Sequence, residues 1–385
     1  MKVNDSLYGE ISFPRWIEPL VWTSVIQRLR WIALSNVPSL SYPMISGVSR
    51  YAHSLGVFHL ASVIGKHLLL PEEQQRVLQC AALLHDAGMP PLGHLMEESL
   101  AMVGVSYDHE ESLRIILLDE GRRFKLMPDG QPIGVIQAIE KGKVDSNEIF
   151  SAIVGQGMLG KYIASNIDVD NIDNVIRLYR LIFSNKKGYS PEEIAKACLP
   201  SCQEGSTEFS LWSSIRMQLY TKLMFSLEDF AQKATYKRLI SSYMHELLSE
   251  KGEAVAVDNI RFLNDSQMMA RILYSLGDEE QSAILSGRYD RLISYGWVNR
   301  VSKKQLITIR EALPSEFEGL YFDFIPDKRS KNVGQERGAL VGIFDPQLTS
   351  DRRKSGVVPY LYDQLDDYRE SFTPADEEAG QLTLL

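Results

Sequence analysis

The sequence has few cysteines, no long apolar run and no excess of positive charge. Its three cysteines, Cys80, Cys198 and Cys202, are too few and odd in number for a disulfide framework, so we expect a reducing compartment. No uninterrupted apolar stretch reaches the ~18 residues that a membrane-spanning helix requires, and the segment Met1–Asp5 lacks an apolar signal core. These absences predict a cytoplasmic protein with no membrane partner.

The charge balance is acidic. The chain of 385 residues has 41 Lys and Arg against 50 Asp and Glu, which gives a formal net charge of -9. Proteins that coat nucleic acid cluster an excess of Lys and Arg on one surface, so the composition carries no strong nucleic-acid signal. A small charged site for a nucleotide is compatible with it. The hydrophobic fraction of 44% is ordinary for a globular chain of one large domain or two.

Six of the seven histidines lie between residues 50 and 110. Four of them, His53, His85, His94 and His109, have neighbouring residues typical of metal or phosphate sites. Neutral imidazoles and carboxylates are ligands of divalent metals, and they also transfer protons near neutral pH. His85 and Asp86 close the apolar run Val77–Leu84, which is typical of a buried helix. Two metal ligands would therefore lie at the inner end of a rigid helix.

Each of these histidines also has a simpler interpretation. A buried His-Asp pair on its own is equally well explained as a hydrogen-bonded dyad of the core, and His59 and His67 are predicted to be packing or surface residues. The combination favours a metal site. His53 precedes an apolar helix, and two glycines bracket a Pro-Pro turn into His94, which packing alone does not explain.

The arrangement of these residues resembles the HD-domain phosphohydrolases, and most of all their dGTPase-like deoxynucleoside triphosphate triphosphohydrolase branch. The matching blocks occur in the family's order and approximate spacing: Asp5–Ile11, Gln27–Arg30, Arg50–Val57 and Ile167–Asp173. A later stretch, Phe262–Ser275, is also similar to the family's helical region after the active site. The resemblance covers about the first 300 residues and weakens after them. It implies a mostly α protein with an HD-domain helical fold, which hydrolyses dNTPs to deoxynucleoside and triphosphate.

The resemblance also implies a site for one divalent metal ion. The ligand set carried over is His53, His85, Asp86 and Asp170. Asp170 is preferred to Asp168 because it takes the ligand position in the family's Ile-Asp-x-Asp block, while Asp168 and Asp173 are expected to hold local structure or to orient other groups. Two His and two Asp suit Mn, Fe, Mg or Zn, and ligand type alone does not choose among them. Open coordination positions would remain for a water and a phosphate oxygen.

Further roles follow from the resemblance. Arg50 matches an arginine that grips phosphate with its planar guanidinium; the alternative is a surface salt bridge. His94 and His109 match two further active-site histidines, and Glu97 stands where relatives carry aspartate. His94 and Glu97 share one helix face, so we expect His94 to act as general acid with Glu97 as its support. The alternative is that His94 and His109 bind a second metal, as in other HD enzymes.

The sequence departs from the family pattern around the substrate. Met89 replaces the last histidine of the usual His-Asp-x-Gly-His, and Asn171 and Asn174 replace a basic residue and a tyrosine. Hydrolysis of a phosphoester is therefore better supported than any particular nucleotide. The alternatives are a nucleoside monophosphatase, a cyclic-nucleotide phosphodiesterase or a nucleotide-sensing HD regulatory module.

The family resemblance further implies a homo-oligomer with a possible allosteric nucleotide at subunit contacts. Gln27, Arg28 and Arg30 lie in the block that the family uses near such contacts. The alternative is that they are solvated residues of a helix whose apolar Leu29 faces inward.

Hydrophobic periodicity predicts the remaining organisation. Helices are expected at 133–139, 149–163, 175–183, 211–230, 236–248 and 265–276, and strands at 306–309 and 320–325. We therefore predict an HD-type helical catalytic domain with a helical extension over residues 1–300. A small C-terminal α+β appendage is expected over 301–350, followed by a tail over 351–385.

Overall fold

The structure is a computed structural model of the chain. The residues that it describes are 1–118, 134–183, 190–199, 206–224, 226–302, 306–307, 319–328, 336–346 and 373–374. The chain forms two compact units, one of residues 1–216 and 240–272 and one of residues 217–239 and 273–385. These units differ from the predicted division at residue 300, because the long helix Leu227–Lys251 contributes to both.

Helices dominate the described residues. In chain order they are α1 (Glu18–Val21), α2 (Ser24–Arg28), α3 (Arg50–His67), α4 (Glu72–Leu84), α5 (His94–Met102), α6 (His109–Leu118), α7 (Val135–Lys141), α8 (Ser146–Ile153), α9 (Gly157–Ile163), α10 (Val169–Ile182), α11 (Pro191–Cys198), α12 (Thr207–Met224), α13 (Leu227–Lys251), α14 (Glu253–Arg261), α15 (Asp265–Ser275) and α16 (Asp278–Leu285). Strands β1 (Lys2–Asp5) and β2 (Gly9–Ser12) form an antiparallel hairpin. The prediction of a mostly α fold is confirmed.

Several helix ends differ from the predicted ones. The expected helix 149–163 is two helices, α8 and α9, because Gly155 between them has the left-handed φ of 75°. The expected break between 230 and 236 does not exist, since α13 runs through it and α12 ends at Met224 instead. Periodicity locates apolar faces better than helix ends, which depend on local turns.

Three helices position the histidines and aspartates. α3 packs against both α4 and α10, and residues 77–84 of α4 are all buried. Ser49 caps α3 by accepting a hydrogen bond from the amide of Ala52, and Asp168 caps α10 in the same way from Asn171. Gly56 of α3 allows the close approach of α10, since a β-carbon there would lie 2.0 Å from Oδ2 of Asp173.

The second unit contains an antiparallel sheet. Its strands are β3 (Arg291–Ser302), β4 (Tyr321–Pro326), β5 (Glu336–Asp345) and β6 (Thr373–Pro374), in the order β4-β5-β3-β6. Phe230 and Ala234 of α13 pack against Leu340 and Phe344 of β5. The predicted strand 320–325 is confirmed as β4, and the sheet begins at β3, ahead of the predicted appendage at residue 301.

One strand prediction is wrong, and part of the C-terminal prediction is outside the described residues. Leu306 and Ile307 are helical, because a short apolar run does not by itself distinguish strand from helix. Residues 308–309, and the predicted tail apart from 373–374, lie outside the described residues. No helix in the described part of the chain combines the length and hydropathy needed to span a bilayer.

Candidate metal centre and active site

Three of the predicted metal ligands bring one atom each to a common point. His53 lies on α3, His85 directly follows α4, and Asp170 lies in the first turn of α10. Nε2 of His53 is 2.9 Å from Oδ1 of Asp170 and 3.3 Å from Nε2 of His85, and the third separation is 3.8 Å. Ligand atoms about 2.1 Å from one cation and at right angles are about 3 Å apart. The spacing therefore suits a single divalent cation.

Both imidazoles are held with Nε2 facing this point. Nδ1 of His53 donates to Oδ1 of Asp173 at 2.7 Å, and Nδ1 of His85 donates to the backbone oxygen of Ala82 at 2.8 Å. Because Nδ1 donates in each ring, Nε2 is the nitrogen that can bind a metal once it carries no proton. Metal-binding histidines almost always donate their other ring nitrogen to a carboxylate or carbonyl in this way. The residues present thus fit a divalent metal ion.

Asp86 lies at the edge of the same point. Its Oδ2 is 3.6 Å from Nε2 of His85 and 4.0 Å from Nε2 of His53, and it accepts a hydrogen bond from Nη1 of Arg50 at 2.8 Å. Burial opposes ionisation of Asp86, but the charges of Arg50 and His85 outweigh it and hold the pKa of this carboxyl well below its usual range. Asp86 is therefore an anion shared between the histidines and Arg50.

The ionisation of His53 reflects the carboxylates around it. Burial disfavours its imidazolium form, but hydrogen bonds to Asp170 and Asp173 outweigh burial and raise the pKa of His53 to about 10. A proton and a cation compete for the same Nε2 lone pair. This environment, which attracts positive charge so strongly, also favours a divalent cation.

Asp173 is the centre of a buried hydrogen-bond network. The sequence did not predict which residues bond to it. Its side chain is fully buried and accepts from Arg177 at 2.9 Å and from the hydroxyl of Tyr8 at 2.8 Å, in addition to His53. Arg177 also donates to Asp5 at 2.9 Å. Burial raises the pKa of an isolated carboxyl, but the charge of Arg177 holds the pKa of Asp173 well below its usual range. An anionic Asp173 therefore orients His53.

A second group lies on α5 and α6. Oε2 of Glu97 accepts from Nδ1 of His94 at 2.7 Å, and Oε1 accepts from Nδ1 of His109 at 2.8 Å and from its backbone amide at 3.1 Å. Burial raises the pKa of Glu97, but the hydrogen bonds from the two histidines lower it to about 2. Burial likewise opposes the protonation of His109, yet Glu97 raises its pKa above the usual value.

This group suits proton transfer. The predicted pairing of His94 with Glu97 is present, and the sharing of the same carboxylate with His109 was not foreseen, because it depends on how α6 folds back. Glu97 occupies Nδ1 of both rings, whose centroids are 5.5 Å apart, so the remaining nitrogens face away from it. The three residues also lie close enough to hold a metal, so the alternative of a second cation stays open.

The connection between α4 and α5, residues 85–94, is held rigidly. Asp265 accepts hydrogen bonds at 2.7 Å from the amides of both Leu92 and Ala33. The buried Arg28 donates to the backbone oxygens of Ala87 and Met89, so it is neither a solvated helix residue nor exposed at a contact. A β-carbon at Gly88 would lie 2.0 Å from the backbone oxygen of His109. Through the contact of Gly88 with His109, the segment that carries His85 and Asp86 packs against the segment that carries His109.

Arg50 forms a salt bridge, but the bridge is buried and not at the surface. Arg50 is 4% exposed, and its guanidinium donates to Asp86 at 2.8 Å and to Oδ1 of Asn36 at 3.3 Å. The contact with substrate phosphate stays a prediction.

Comparison with known proteins agrees with this geometry. Residues 50–148 match the HD domain family. The chain is 28% identical over 190 residues to a deoxynucleoside triphosphate triphosphohydrolase SAMHD1 homolog of Dictyostelium discoideum, covering 46% of this chain and 35% of that protein. It is 24% identical over 243 residues to the uncharacterised protein MJ1154 of Methanocaldococcus jannaschii, covering 63% of this chain and 46% of that protein. It is 30% identical over 119 residues to human deoxynucleoside triphosphate triphosphohydrolase SAMHD1, covering 28% of this chain and 19% of the human protein.

The matched regions span less than half the length of each of these relatives. They nevertheless converge with the HD domain match and with the imidazoles and carboxylates grouped around α3, α4 and α10. The chain therefore carries an HD domain over residues 50–148, and it is similar to HD-domain triphosphohydrolases over part of their length.

Proposed function

We propose that this protein is a metal-dependent nucleotide phosphohydrolase that cleaves dNTPs to deoxynucleoside and triphosphate. One observation carries the proposal: the connection from α4 to α5 begins with the candidate metal ligands His85 and Asp86 and leads directly into His94, which is bound to Glu97. Cation ligands and a protonatable imidazole on one rigid segment are what hydrolysis of a phosphoester requires. Relatives named as deoxynucleoside triphosphate triphosphohydrolases support the choice of substrate.

In the proposed reaction, each residue would have a separate role. A bound divalent cation supplies Lewis-acid stabilisation of a phosphoryl oxygen and lowers the pKa of a water; His53, His85, Asp86 and Asp170 would hold it. Water attacks the α-phosphorus through its oxygen and releases one proton to the solvent, and the bond from phosphorus to the 5′ oxygen breaks with its electron pair on that oxygen. His94 donates a proton to the departing oxygen while Glu97 fixes its tautomer. Arg50 holds a phosphate oxygen through its guanidinium.

Arg216 supports a substrate with several phosphates. This buried residue of α12 donates from Nη1 to Oδ1 of Asn171 at 3.1 Å, directly beside Asp170 in the chain. Asn171 stands where relatives carry a basic residue. We therefore propose that Arg216 supplies a cationic contact to phosphate beside Asp170.

The proposal includes manganese as a suitable metal, a cytoplasmic location and a homo-oligomer with an allosteric nucleotide. In the block proposed for subunit contact, the exposed Arg30 donates to Gln27 at 2.7 Å and its guanidinium lies 3.9 Å from the ring centre of Tyr51. Light scattering with and without nucleotides tests the assembly. A monomer under both conditions would remove that part of the proposal.

A second candidate is a nucleoside monophosphatase or cyclic-nucleotide phosphodiesterase. It is favoured by Met89, which is only 1% exposed at the position where relatives have a phosphate-facing histidine. A site with fewer cationic and imidazole contacts suits fewer phosphates. A purely nucleotide-sensing module is the third possibility, and it requires binding without turnover.

One experiment separates the three. Purified protein loaded with Mn²⁺ is incubated with all dNTPs, NTPs, monophosphates and cyclic nucleotides, and the products are identified by chromatography and mass spectrometry. We expect deoxynucleoside and inorganic triphosphate from at least one dNTP. Orthophosphate from monophosphates, or monophosphates from cyclic nucleotides, would support the second candidate. His85→Ala serves as the control for activity from a contaminating enzyme.

A further inference from the structure

Asn36 lies in a loop, residues 35–47, whose two ends meet beside Arg50. The amide of Leu34 donates to the oxygen of Val48 at 2.9 Å, and the amide of Arg50 donates to the oxygen of Ile32 at 2.9 Å. These backbone bonds close the base of the loop just before α3 begins. Residues near the base are therefore fixed relative to the Arg50 side chain.

The backbone and side chain of Asn36 are both constrained. Its φ is 67°, in the left-handed region that asparagine tolerates better than most residues. Its Oδ1 accepts from Nη2 of Arg50 at 3.3 Å and would lie 2.4 Å from a β-carbon at Gly93. Gly93 immediately precedes His94, so the amide of Asn36 is packed between Arg50 and the start of α5.

The guanidinium of Arg50 retains donors beyond these two contacts. It carries five N–H groups; Nη1 donates to Asp86 and Nη2 to Asn36. Its Nε is buried and has no hydrogen-bond partner among the described residues. A buried donor without a partner is costly, which favours an oxygen-rich ligand at this guanidinium.

The chemical nature of the second acceptor matters. Asp86 already places one full negative charge on Arg50. A carboxylate at position 36 would add a second and neutralise the attraction for an anionic ligand, whereas an amide oxygen orients the same N–H without charge.

We propose that Asn36 is a positioning residue, which fixes the guanidinium of Arg50 while leaving it electrostatically able to bind substrate phosphate. The inference rests on the proposed function, since it assigns Arg50 to the phosphate of the same substrate. Asn36 acts through Arg50 and sets affinity for the phosphate chain more than the rate of bond cleavage.

Two substitutions separate this role from a backbone role. Asn36→Asp keeps the shape and adds the charge; Asn36→Gly keeps the left-handed backbone, which glycine adopts readily, and removes the amide. Met44→Asp is the matched control, because Met44 is 50% exposed in the same loop and receives the same charge away from Arg50. Binding of inorganic tripolyphosphate to Mn²⁺-loaded protein is measured by calorimetry, alongside KM and kcat for the best dNTP and the metal content.

We expect Asn36→Asp to weaken tripolyphosphate binding and raise KM by about tenfold or more, and Asn36→Gly to do so by a smaller factor. Metal content should not change in either, and kcat should fall much less than KM rises. Unchanged tripolyphosphate affinity in Asn36→Asp, or an equal loss in Met44→Asp, would overturn the inference alone. No tripolyphosphate binding by the unsubstituted protein would overturn it together with the role of Arg50. If the unsubstituted protein hydrolyses no nucleotide but binds tripolyphosphate, and the Asn36 variants lose that binding, the inference is supported and the proposed function is refuted.

Discussion

His53 donates the hydrogen on Nδ1 to Oδ1 of Asp173 across 2.7 Å, although 120 residues separate the two in the chain. The contact joins α3 to α10 in the core and turns Nε2 of His53 toward Asp170 and His85. The orientation of the candidate metal ligand His53 thus depends on Asp173, which lies one helical turn after the candidate ligand Asp170 on α10. Tyr8 and Arg177, which also bond to Asp173, extend that dependence to the N-terminal hairpin.

Loss of any one metal ligand should remove both the metal and hydrolysis. We expect His53→Ala, His85→Ala, Asp86→Ala and Asp170→Ala each to retain a helical circular dichroism spectrum and to lose bound metal in elemental analysis. His67→Ala, at the end of the same helix as His53, should keep both metal and activity. Stoichiometric metal in Asp170→Ala would show that Asp170 is not the fourth ligand.

Asp173→Asn should weaken metal binding without removing a ligand. The amide keeps the shape but not the charge that orients His53, and such supporting partners are typically worth about 10- to 100-fold in metal affinity. The buried Arg177 also loses part of its compensation, so we expect a lower melting temperature. Gly56→Ala should act in the same direction because its β-carbon collides with Asp173. Metal affinity equal to that of the unsubstituted protein, measured by chelator competition, would contradict the assigned role.

His94→Ala should lose activity and keep its metal. A departing 5′ alkoxide is a poor leaving group, and a general acid contributes about 10²- to 10⁴-fold in rate. Glu97→Gln should lose less, since it weakens only the tautomer and basicity of the imidazole. Metal analysis of His94→Ala beside the unsubstituted protein decides between the two roles. We expect one metal per chain in both, and a fall from two to one would establish a second cation site instead.

Arg216→Gln should raise KM for a triphosphate substrate more than it lowers kcat. A charged hydrogen bond to phosphate contributes to binding in both ground and transition states, so we expect a rise of about tenfold. Arg216→Lys should retain part of the affinity. Asn171→Lys added to Arg216→Gln restores a cation beside Asp170 and should recover part of the loss. An unchanged KM in Arg216→Gln would remove Arg216 from the phosphate contacts.

Glu97 should make the fold sensitive to acid. Because the pKa of Glu97 is lowered to about 2 in the folded protein, the unfolded chain binds more protons than the folded one between roughly pH 5 and pH 2. The stabilisation is fully present above the unfolded pKa and is lost as pH falls toward 2. Urea unfolding across this range should show that the difference in free energy of unfolding between the unsubstituted protein and Glu97→Gln becomes smaller as pH falls. A difference that does not depend on pH would contradict the lowered pKa of Glu97.

The sequence predicts those parts of the site that depend on local spacing. The His94 and Glu97 pair is three residues apart on one helix, so it follows from helical geometry. The apolar run before His85 predicts a buried helix correctly. The metal ligand set needed the family resemblance, since spacing does not say which distant aspartate folds back onto α3.

Other contacts could not be predicted, because they join polar groups that only the fold brings together. Tyr8 and Asp173 are 165 residues apart, and Asp265 reaches Leu92 across 173 residues. A single sequence carries no signal of such pairings. The helix ends are a separate limit, because they depend on local turns such as the one at Gly155, whose φ is 75°.

The contact between Gly88 and the backbone of His109 restricts which substitutions this protein can accept. With backbone against backbone, neither segment can shift without the other, so substitutions around residues 85–94 and at the start of α6 should be poorly tolerated. Exposed residues such as Met44 of the 35–47 loop and Met217 of α12 lie outside that backbone contact, so substitutions at such exposed positions should be better tolerated. Altered nucleotide preference should therefore be sought by mutagenesis in those two segments, with the hydrolytic residues left as they are.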